Sequence, residues 1–347
     1  MMQNLAAAVT ALSLFVLTSF AHAASLPATQ NEFVDPNAKL EKLFDGGCQL
    51  TEGVAVATNG MVYFSDITFS FGCPGPNGST EAGHIWKFNP KTGKTNIFRS
   101  PSGMSNGIKF NANGDMIVAE GADHGGRRIT RTDMKTGKTY IIAGLFEGRP
   151  FNSPNDITID EQGRIYFSDP RYIGHEPIYQ PMQAVYRINT DGTIDRVIAD
   201  AGKPNGVCIS PDQKTLYVVC HDNGHTRGGA FLDDKPTPPK GRMALLAYDL
   251  APQGTAKFRE VLIDFGAEDG PDGLIVDGEG NLYVAIRDAT RPGIWIYSPS
   301  GKELAWIKTE LPTNVGFGRG QQDRTLYITA GKSLYRIAVK KAGYHLP

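Results

Sequence analysis

The chain has 347 residues, of which 40% are hydrophobic, so it is long enough to bury a large core. Its formal net charge of −1 gives no electrostatic reason to expect nucleic acid or an anionic membrane as a partner, and no segment points to a protein partner. Forty glycines and 22 prolines are typical of a protein built from short strands and many turns.

The first 23 residues have the pattern of a secretory signal peptide. An apolar stretch covers residues 5–20 and is followed by Ala-His-Ala, a small-x-small cleavage pattern. No Lys or Arg precedes the stretch, which is short for a transmembrane helix. We therefore expect residues 1–23 to be removed. The remaining single domain, residues 24–347, should be exported to the periplasm or secreted, free of the membrane.

From Lys39 onward the chain consists of strand-like segments. KLEKLF at 39–44 stands alone and is followed by six similar hairpins, which read GVAVATNGMVYFSD, GIKFNANGDMIVAE, DITIDEQGRIYFSD, GVCISPDQKTLYVV, GLIVDGEGNLYVAI and GFGRGQQDRTLYIT. Further strand-like runs follow the hairpins, such as HIWKFNP from His84 and TNIFRS from Thr95. Repeat starts lie about 43 to 67 residues apart, which predicts a six-bladed β-propeller with four antiparallel strands in each blade.

Two repeats depart from this scheme. The sixth offers only three strands, ending with SLYRIAV from Ser333, so we expect the segment at 39–44 to complete the last blade. Such a closure joins the two ends of the array and leaves no open sheet edge. The fourth repeat contains an insertion, residues 222–242, that is rich in Gly, Pro and charge and predicts a loop beside the site.

Export makes disulfide bonds possible, and the chain has four cysteines. Cys48 leads into the first strand of its repeat and Cys73 follows the second strand, so both should lie at the same face of the propeller. We expect these two to form a disulfide. Cys208 and Cys220 share a hairpin but should lie three rungs apart, too far for a bond, and are expected to be buried as small hydrophobic residues.

One short polar residue precedes the first strand of every hairpin. The six are Glu52, Asn106, Asn155, Asn205, Asp272 and Asn314, which we call the axial ring. Asn and Asp often serve turns before strands, but Glu has no such preference, and closure of the array would bring all six around one axis. Carboxylate and amide oxygens suit a hard divalent cation, and calcium fits best. Zinc fits less well because the ring contains neither His nor Cys.

Four segments resemble the gluconolactonase, regucalcin and luciferin-regenerating enzyme family. They are TEGVAV at 51, SPNDITIDEQGRIYFSDP at 153, KPNGVCISPDQKTLYVV at 203 and GPDGLIVDGEGNLYVA at 270, in family order and over nearly the whole chain after the signal. The resemblance implies a six-bladed propeller with a divalent metal at its axis. It assigns the metal ligands to Glu52, Asn155, Asn205 and Asp272. Asn106 and Asn314 are then left to contact water or substrate.

The chain departs from the family pattern at two positions. Val54 follows the Glu-Gly pair where many members have proline, and Ser153 stands where animal members place an arginine. The missing arginine puts recognition of a sugar in question. Arg287 and Arg171 are candidates to take its place as substrate contacts.

These residues predict a metal-dependent hydrolase that opens a sugar lactone, such as an aldonolactone. Calcium at the ring can polarise the carbonyl, and Asp272 is the best candidate for the general base, both by the resemblance and because a metal-bound carboxylate can hold a water. His221 and His124 follow second strands at the same face and are candidates for substrate contact or proton transfer. The sequence has no G-x-S-x-G motif, so a covalent serine mechanism is disfavoured.

Two alternatives remain open on sequence alone. The same metal ring could activate a phosphotriester. The metal could also be structural in a propeller that only binds a ligand or protein, because a fold does not define a function. The polar ring argues against the second alternative, since an interaction surface more often exposes aromatic anchors.

Overall fold

A computed structural model describes residues 26–70, 72–226 and 239–346. The predicted signal peptide, residues 1–23, and most of the predicted insertion in the fourth repeat lie outside the described residues. A short helix, α1 (Gln30–Phe33), and one strand, β1 (Glu41–Phe44), precede the repeats. Within the described ranges, no helix combines the length and the apolar character needed to cross a membrane.

Six four-stranded antiparallel sheets form the blades of a β-propeller. Blade one consists of β2 (Leu50–Val56), β3 (Val62–Ile67), β4 (His84–Asn89) and β5 (Lys94–Arg99). Blade two consists of β6 (Ser105–Phe110), β7 (Met116–Glu120), β8 (Arg128–Thr132) and β9 (Thr139–Ala143). A small hairpin, β10 (Leu145–Phe146) and β11 (Arg149–Pro150), leads to blade three, which consists of β12 (Ile157–Ile159), β13 (Ile165–Asp169), β14 (Ala184–Ile188) and β15 (Ile194–Ile198).

The remaining three blades repeat this order. Blade four consists of β16 (Pro204–Ile209), β17 (Thr215–His221), β18 (Met243–Leu250) and β19 (Ala256–Asp264). Blade five consists of β20 (Pro271–Val276), β21 (Leu282–Ile286), β22 (Gly293–Tyr297) and β23 (Glu303–Lys308). Blade six takes β24 (Pro312–Phe317), β25 (Thr325–Ala330) and β26 (Ser333–Ala338) from the end of the chain. Single 3-10 turns lie at Pro76–Gly78 and Gly320–Gln322.

Strand β1 supplies the fourth strand of blade six, which confirms the predicted closure. It pairs antiparallel with β26, and the sheet order is β1-β26-β25-β24. Glu41 lies opposite Arg336, and its carboxylate accepts a hydrogen bond from Arg336 Nε at 2.8 Å. The first and last strands of the propeller are therefore held in one sheet.

The hydrophobic core lies between neighbouring blades. Every residue of β7 and of β21 is buried, whereas the outer strands β9 and β19 are largely exposed. A continuous apolar run such as LYVAI in β21 fits a strand whose two faces are both covered. This packing holds the inner strands firmly, and it therefore fixes the positions of the residues that precede them around the axis.

Deletion of residues 39–45 is expected to abolish cooperative thermal unfolding. The deletion removes β1, leaving blade six with three strands and exposing the edge of β26. Differential scanning calorimetry would detect the change as a broad transition with a reduced enthalpy. A truncated chain that unfolds like the parent would contradict the closure.

Candidate active site

Local β-bulges set the positions of most axial-ring residues. In blade one, Glu52 pairs with Ser65, and regular pairing then resumes only at Ala55, opposite Tyr63. Blades two, four and five have the same irregularity, starting at the residue just before the ring member. A bulge inserts an extra residue and re-aims a side chain, so these strands pair normally further along while their ring residue is placed at the axis.

Five of the six ring residues line the floor of one cavity of about 170 Å³. They are Glu52, Asn106, Asn155, Asn205 and Asp272. All are buried, with at most 9% of each residue exposed. The sequence therefore placed these five correctly at one point of the fold. Their oxygen-rich side chains converge where a small ligand can enter.

The sixth ring residue, Asn314, does not line the cavity. Its Oδ1 accepts a hydrogen bond from the backbone N–H of Val315 at 2.8 Å. A Cβ added to Gly273 would lie 2.4 Å from Asn314 Cγ, so the amide packs closely against the blade-five backbone. It also hydrogen-bonds Asp156, whose pKa is raised by burial, and this bond opposes the rise. The structure thus places Asn314 beside the cavity with its amide engaged by neighbouring protein groups, and its contact with substrate stays a prediction.

Two ring carboxylates, Glu52 and Asp272, are buried, so keeping both of them ionised costs free energy. Burial, followed by repulsion from Asp272, raises the pKa of Glu52 well above its usual value, and Arg287 opposes the rise. Burial also raises the pKa of Asp272 to about 6, again opposed by Arg287. Arg287 Nη1 lies 3.5 Å from Asp272 Oδ2. One arginine cannot balance two buried carboxylates, so the arrangement favours a divalent cation.

Asp156 does not line the cavity but acts on its charges, and sequence reasoning missed it. Five hairpins begin with glycine, but the third begins with this aspartate, which is 1% exposed. Its Oδ2 accepts a hydrogen bond from Val207 N in the next blade at 3.1 Å. Burial raises the pKa of Asp156, and its charge contributes to the raised pKa values of Glu52 and Asp272. The break in the glycine pattern was the available signal for this third buried acid.

The amide side chains of Asn205 and Asn106 offer oxygens to a ligand. Asn205 Nδ2 donates to Tyr172 Oη at 3.2 Å, and Tyr172 Oη donates to the carbonyl of His221 at 3.0 Å. This chain of bonds engages the nitrogen of Asn205 and leaves its Oδ1 for a ligand. Among the described residues, Asn106 Oδ1 is buried without a hydrogen-bond partner. A cation, a water or a substrate hydroxyl would satisfy that oxygen.

Tyr172 was also missed at the sequence level. It lies in the loop after β13, outside the repeated hairpins, and no periodic signal marks it. Burial raises the pKa of its hydroxyl well above the usual value, and the negative charge of Asp272 raises it further. The hydroxyl therefore stays protonated and acts as a hydrogen-bonding support for Asn205.

His221 and Arg287, both predicted substrate contacts, line the cavity. His221 Nδ1 lies 2.8 Å from the carbonyl oxygen of Pro271, which can only accept, so Nδ1 carries the proton. Burial lowers the pKa of His221 to about 4, and the ring is neutral at pH 7. Its Nε2 is therefore an acceptor. Arg287 Nη1 additionally donates to the carbonyl of Pro312 at 3.3 Å, which fixes the guanidinium beside Asp272.

Arg171, the second arginine predicted to contact substrate, does not line the cavity. Its side chain is 1% exposed, and Nη1 donates to Asn152 O at 2.9 Å. Nη2 contacts the backbone carbonyl of Glu176 and lies 3.3 Å from its carboxylate. The guanidinium thus holds the loop after β13 in place, outside the cavity lining, and a substrate contact by Arg171 stays a prediction.

His124 also lies outside the cavity lining. Donor atoms of Asp123, His124 and His175 fall within 4.8 Å of one another. Asp123 Oδ1 accepts a hydrogen bond from Ser70 Oγ at 2.9 Å and lies 3.3 Å from His175 Nε2. These contacts join the loops that follow the second strands of blades one, two and three.

Cys48 and Cys73, the expected pair, form a disulfide with a Cα–Cα distance of 5.9 Å. The bond encloses the segment that contributes Leu50 and Ile67 to the cavity. The backbone N–H of Cys48 also donates to Asp66 Oδ2 at 2.9 Å. The other two cysteines, in blade four, are buried and free.

A six-bladed propeller with an acidic, oxygen-lined cavity at its axis is thus the class of protein defined by the fold and the site. The chain belongs to the SMP-30/gluconolactonase/LRE-like family, whose model matches residues 50–332. This match confirms the resemblance seen in the four sequence segments.

Relatives and solved structures agree with this assignment. A gluconolactonase from Zymomonas mobilis is 31% identical over 254 residues, which cover 71% of this chain and 65% of that protein, so the chain spans slightly less than two thirds of that relative's length. The structure of a gluconolactonase from Xanthomonas campestris is similar with a TM-score of 0.69 and 25% identity, over 88% of this chain and 91% of that one. Regucalcin from Agrobacterium tumefaciens, a calcium-binding protein, shares the fold with a TM-score of 0.65 and 19% identity, over 89% and 97% of the two chains.

Proposed function

We propose that the protein is a metal-dependent lactonase, a hydrolase that opens the cyclic ester of a lactone. Sugar lactones such as glucono-δ-lactone are the first candidates from the sequence. One observation carries the proposal: Glu52, Asn155, Asn205 and Asp272 converge at the floor of a single buried cavity. The gluconolactonases among its relatives support the same reaction.

Calcium is the cation that we propose for the ring, with Glu52, Asn155, Asn205 and Asp272 as its ligands. The donor set fits, because it consists of two carboxylates and two amides and includes no thiolate or imidazole. Calcium takes roughly six to eight oxygens, so these four residues would leave positions for water and substrate. A bound calcium ion would polarise the lactone carbonyl and stabilise negative charge on its oxygen.

The side chains around the ring transfer the protons and orient the substrate. Asp272 accepts a proton from the water that attacks the lactone carbonyl carbon. The ring C–O bond then breaks and the leaving oxygen takes up a proton, so that lactone and water give a hydroxy acid. Arg287 favours the ionised form of Asp272. His221 Nε2 accepts a hydrogen bond from a substrate hydroxyl, and Asn106 contacts water or substrate.

Excess EGTA is expected to abolish lactone hydrolysis, and added calcium is expected to restore it. The reason is that removing the cation leaves two buried carboxylates repelling each other and takes away the charge that stabilises the carbonyl oxygen. A pH-stat assay on glucono-δ-lactone, δ-valerolactone and δ-decalactone, corrected for spontaneous opening, would measure the effect. Magnesium is the matched control. It prefers a smaller octahedral site and should restore less activity.

Full turnover in excess chelator would rule out the metal-dependent mechanism. Calcium-dependent thermal stabilisation without turnover of any lactone would instead support a propeller that only binds its ligand. A competition assay between a lactone and a phosphotriester would test the alternative that the protein hydrolyses phosphotriesters, because both substrates would have to occupy the same cavity.

We also propose that the protein is exported to the periplasm or secreted. The Cys48–Cys73 disulfide supports an oxidising compartment, since such bonds seldom persist in a reducing cytosol. The signal-like pattern in residues 1–23 supports the same location.

A further inference from the structure

The cavity above the axial ring has two chemically different sides. Blades one to three contribute an apolar wall made of Leu50, Ile67, Phe69, Met104, Pro154 and Ile173. Blades four and five contribute a polar wall made of His221, Asn223, His225 and Arg287. A molecule held over the ring is therefore in contact with hydrocarbon on one side and with hydrogen-bonding groups on the other.

The apolar wall starts next to the proposed ligands and is fixed by the fold. Leu50 precedes Glu52 by two residues in β2, so both side chains lie on the same face of the strand. Ile67, the last residue of β3, is the direct pairing partner of Leu50. Met104 is buried with 4% exposure, and Ile173 is half-buried in the loop after β13. The wall is therefore part of the binding cavity and not of its outer rim.

A polyhydroxylated lactone matches this wall poorly. Burying a hydroxyl against hydrocarbon without a partner costs free energy, because its hydrogen bonds to water are lost. Among the described cavity residues on this side, Ser153 and Tyr172 offer hydroxyls. Both are already engaged, because Ser153 Oγ accepts a hydrogen bond from Ala122 N at 2.9 Å and Tyr172 Oη bonds to Asn205 and to the carbonyl of His221.

We propose that the natural lactone carries an alkyl or aryl substituent that packs against the apolar wall. Its ester lies over the axial ring, and any polar substituent faces His221 and Arg287 on the polar wall. This inference rests on the proposed function, since the orientation takes the lactone ester as the reacting group. It replaces the sugar lactone by an apolar-substituted lactone as the preferred substrate.

Three lactones with the same six-membered ring test the inference on the calcium-loaded protein. δ-Valerolactone has no substituent, δ-decalactone has a pentyl chain, and glucono-δ-lactone has hydroxyl groups. We expect kcat/KM for δ-decalactone to exceed that for δ-valerolactone by about tenfold or more, which is the gain typical of methylene groups buried in an apolar pocket. Glucono-δ-lactone should be a poorer substrate than δ-decalactone.

Variants of the apolar wall distinguish a loss of substrate packing from a general loss of folding or activity. Ile173→Asn should lower the preference for δ-decalactone over δ-valerolactone about tenfold, mainly by raising the KM for δ-decalactone. Ile178→Asn is the matched control, because Ile178 lies in the same loop, is 50% exposed and does not line the cavity. Ile67→Thr gives a second test at another point of the wall and keeps a β-branched residue in the strand.

The outcomes separate the two proposals. If δ-valerolactone and δ-decalactone are opened equally well, or if glucono-δ-lactone is preferred, the apolar-substrate inference is overturned and the lactonase function stands. The same conclusion follows if both wall variants retain the parental preference. If none of the three lactones is opened in the presence of calcium, the lactonase function itself fails, and the inference fails with it.

Discussion

Replacing Asp272 with asparagine is expected to lower kcat/KM for lactone hydrolysis by about a thousandfold at saturating calcium, which is within the range for loss of a general base. Asparagine keeps an oxygen for the cation and nearly the same shape, but it cannot take a proton from water. The buried carboxylate lies 3.5 Å from Arg287 Nη1, and that guanidinium would then lack its anionic partner. Steady-state assays over a calcium titration would separate lost affinity for the metal from lost chemistry.

Glu52→Gln is the matched control for that experiment. Glu52 is buried at the same cavity floor and is a proposed ligand, but it has no proposed role in proton transfer. Both variants should bind calcium more weakly by calorimetry, because each removes one negative charge. At saturating calcium Glu52→Gln should recover most of its turnover, whereas Asp272→Asn should not. Equal recovery of the two variants would mean that Asp272 is a ligand only and that another group acts as the base.

The repeat pattern was sufficient to predict the arrangement of blades and most of the ring. Strand order in a propeller follows chain order, so six hairpins and the isolated segment at 39–44 predicted both the blade number and the closure by β1. Equivalent positions in a closed repeat lie at one height around the axis. Five of the six ring residues, including Glu52 and Asp272, consequently meet at one cavity.

Side-chain orientation could not be predicted in the same way, because it depends on partners outside the repeated hairpin or in another blade. Arg171 is drawn inward by Asn152 and Glu176, and neither belongs to the repeated hairpin. Asn314 has the right position in its repeat, but its amide bonds to Asp156, a residue of blade three. The apolar wall likewise joins strand-end and loop residues of three different blades. A periodic pattern gives the position of a residue in its blade but not its neighbour in the next blade.

Gly53→Ala is expected to lower the free energy of unfolding by about 3 to 5 kcal/mol, combining the cost of a left-handed backbone for alanine with that of overpacking. Gly53 has a φ of +47°, and a Cβ at this position would lie 1.8 Å from the carbonyl oxygen of Asn106. Backbone atoms cannot rotate away as a side chain does, so blade two would have to shift. At roughly 2 to 4 °C per kcal/mol, the melting temperature should fall by roughly 6 °C or more.

Gly60→Ala distinguishes the close contact from the backbone conformation. Gly60 lies in the turn of the same hairpin and has a φ of +81°, but nothing lies within 4 Å of the position of its added Cβ. Its replacement should therefore cost only about 1 kcal/mol, the lower end for a left-handed non-glycine residue. Gly53→Ala should also weaken calcium binding, because the clash falls on the residue next to Glu52 and would displace this proposed ligand from the other three. Equal destabilisation by the two alanines, with unchanged calcium affinity, would mean that the tight contact between blades one and two does not position the ring.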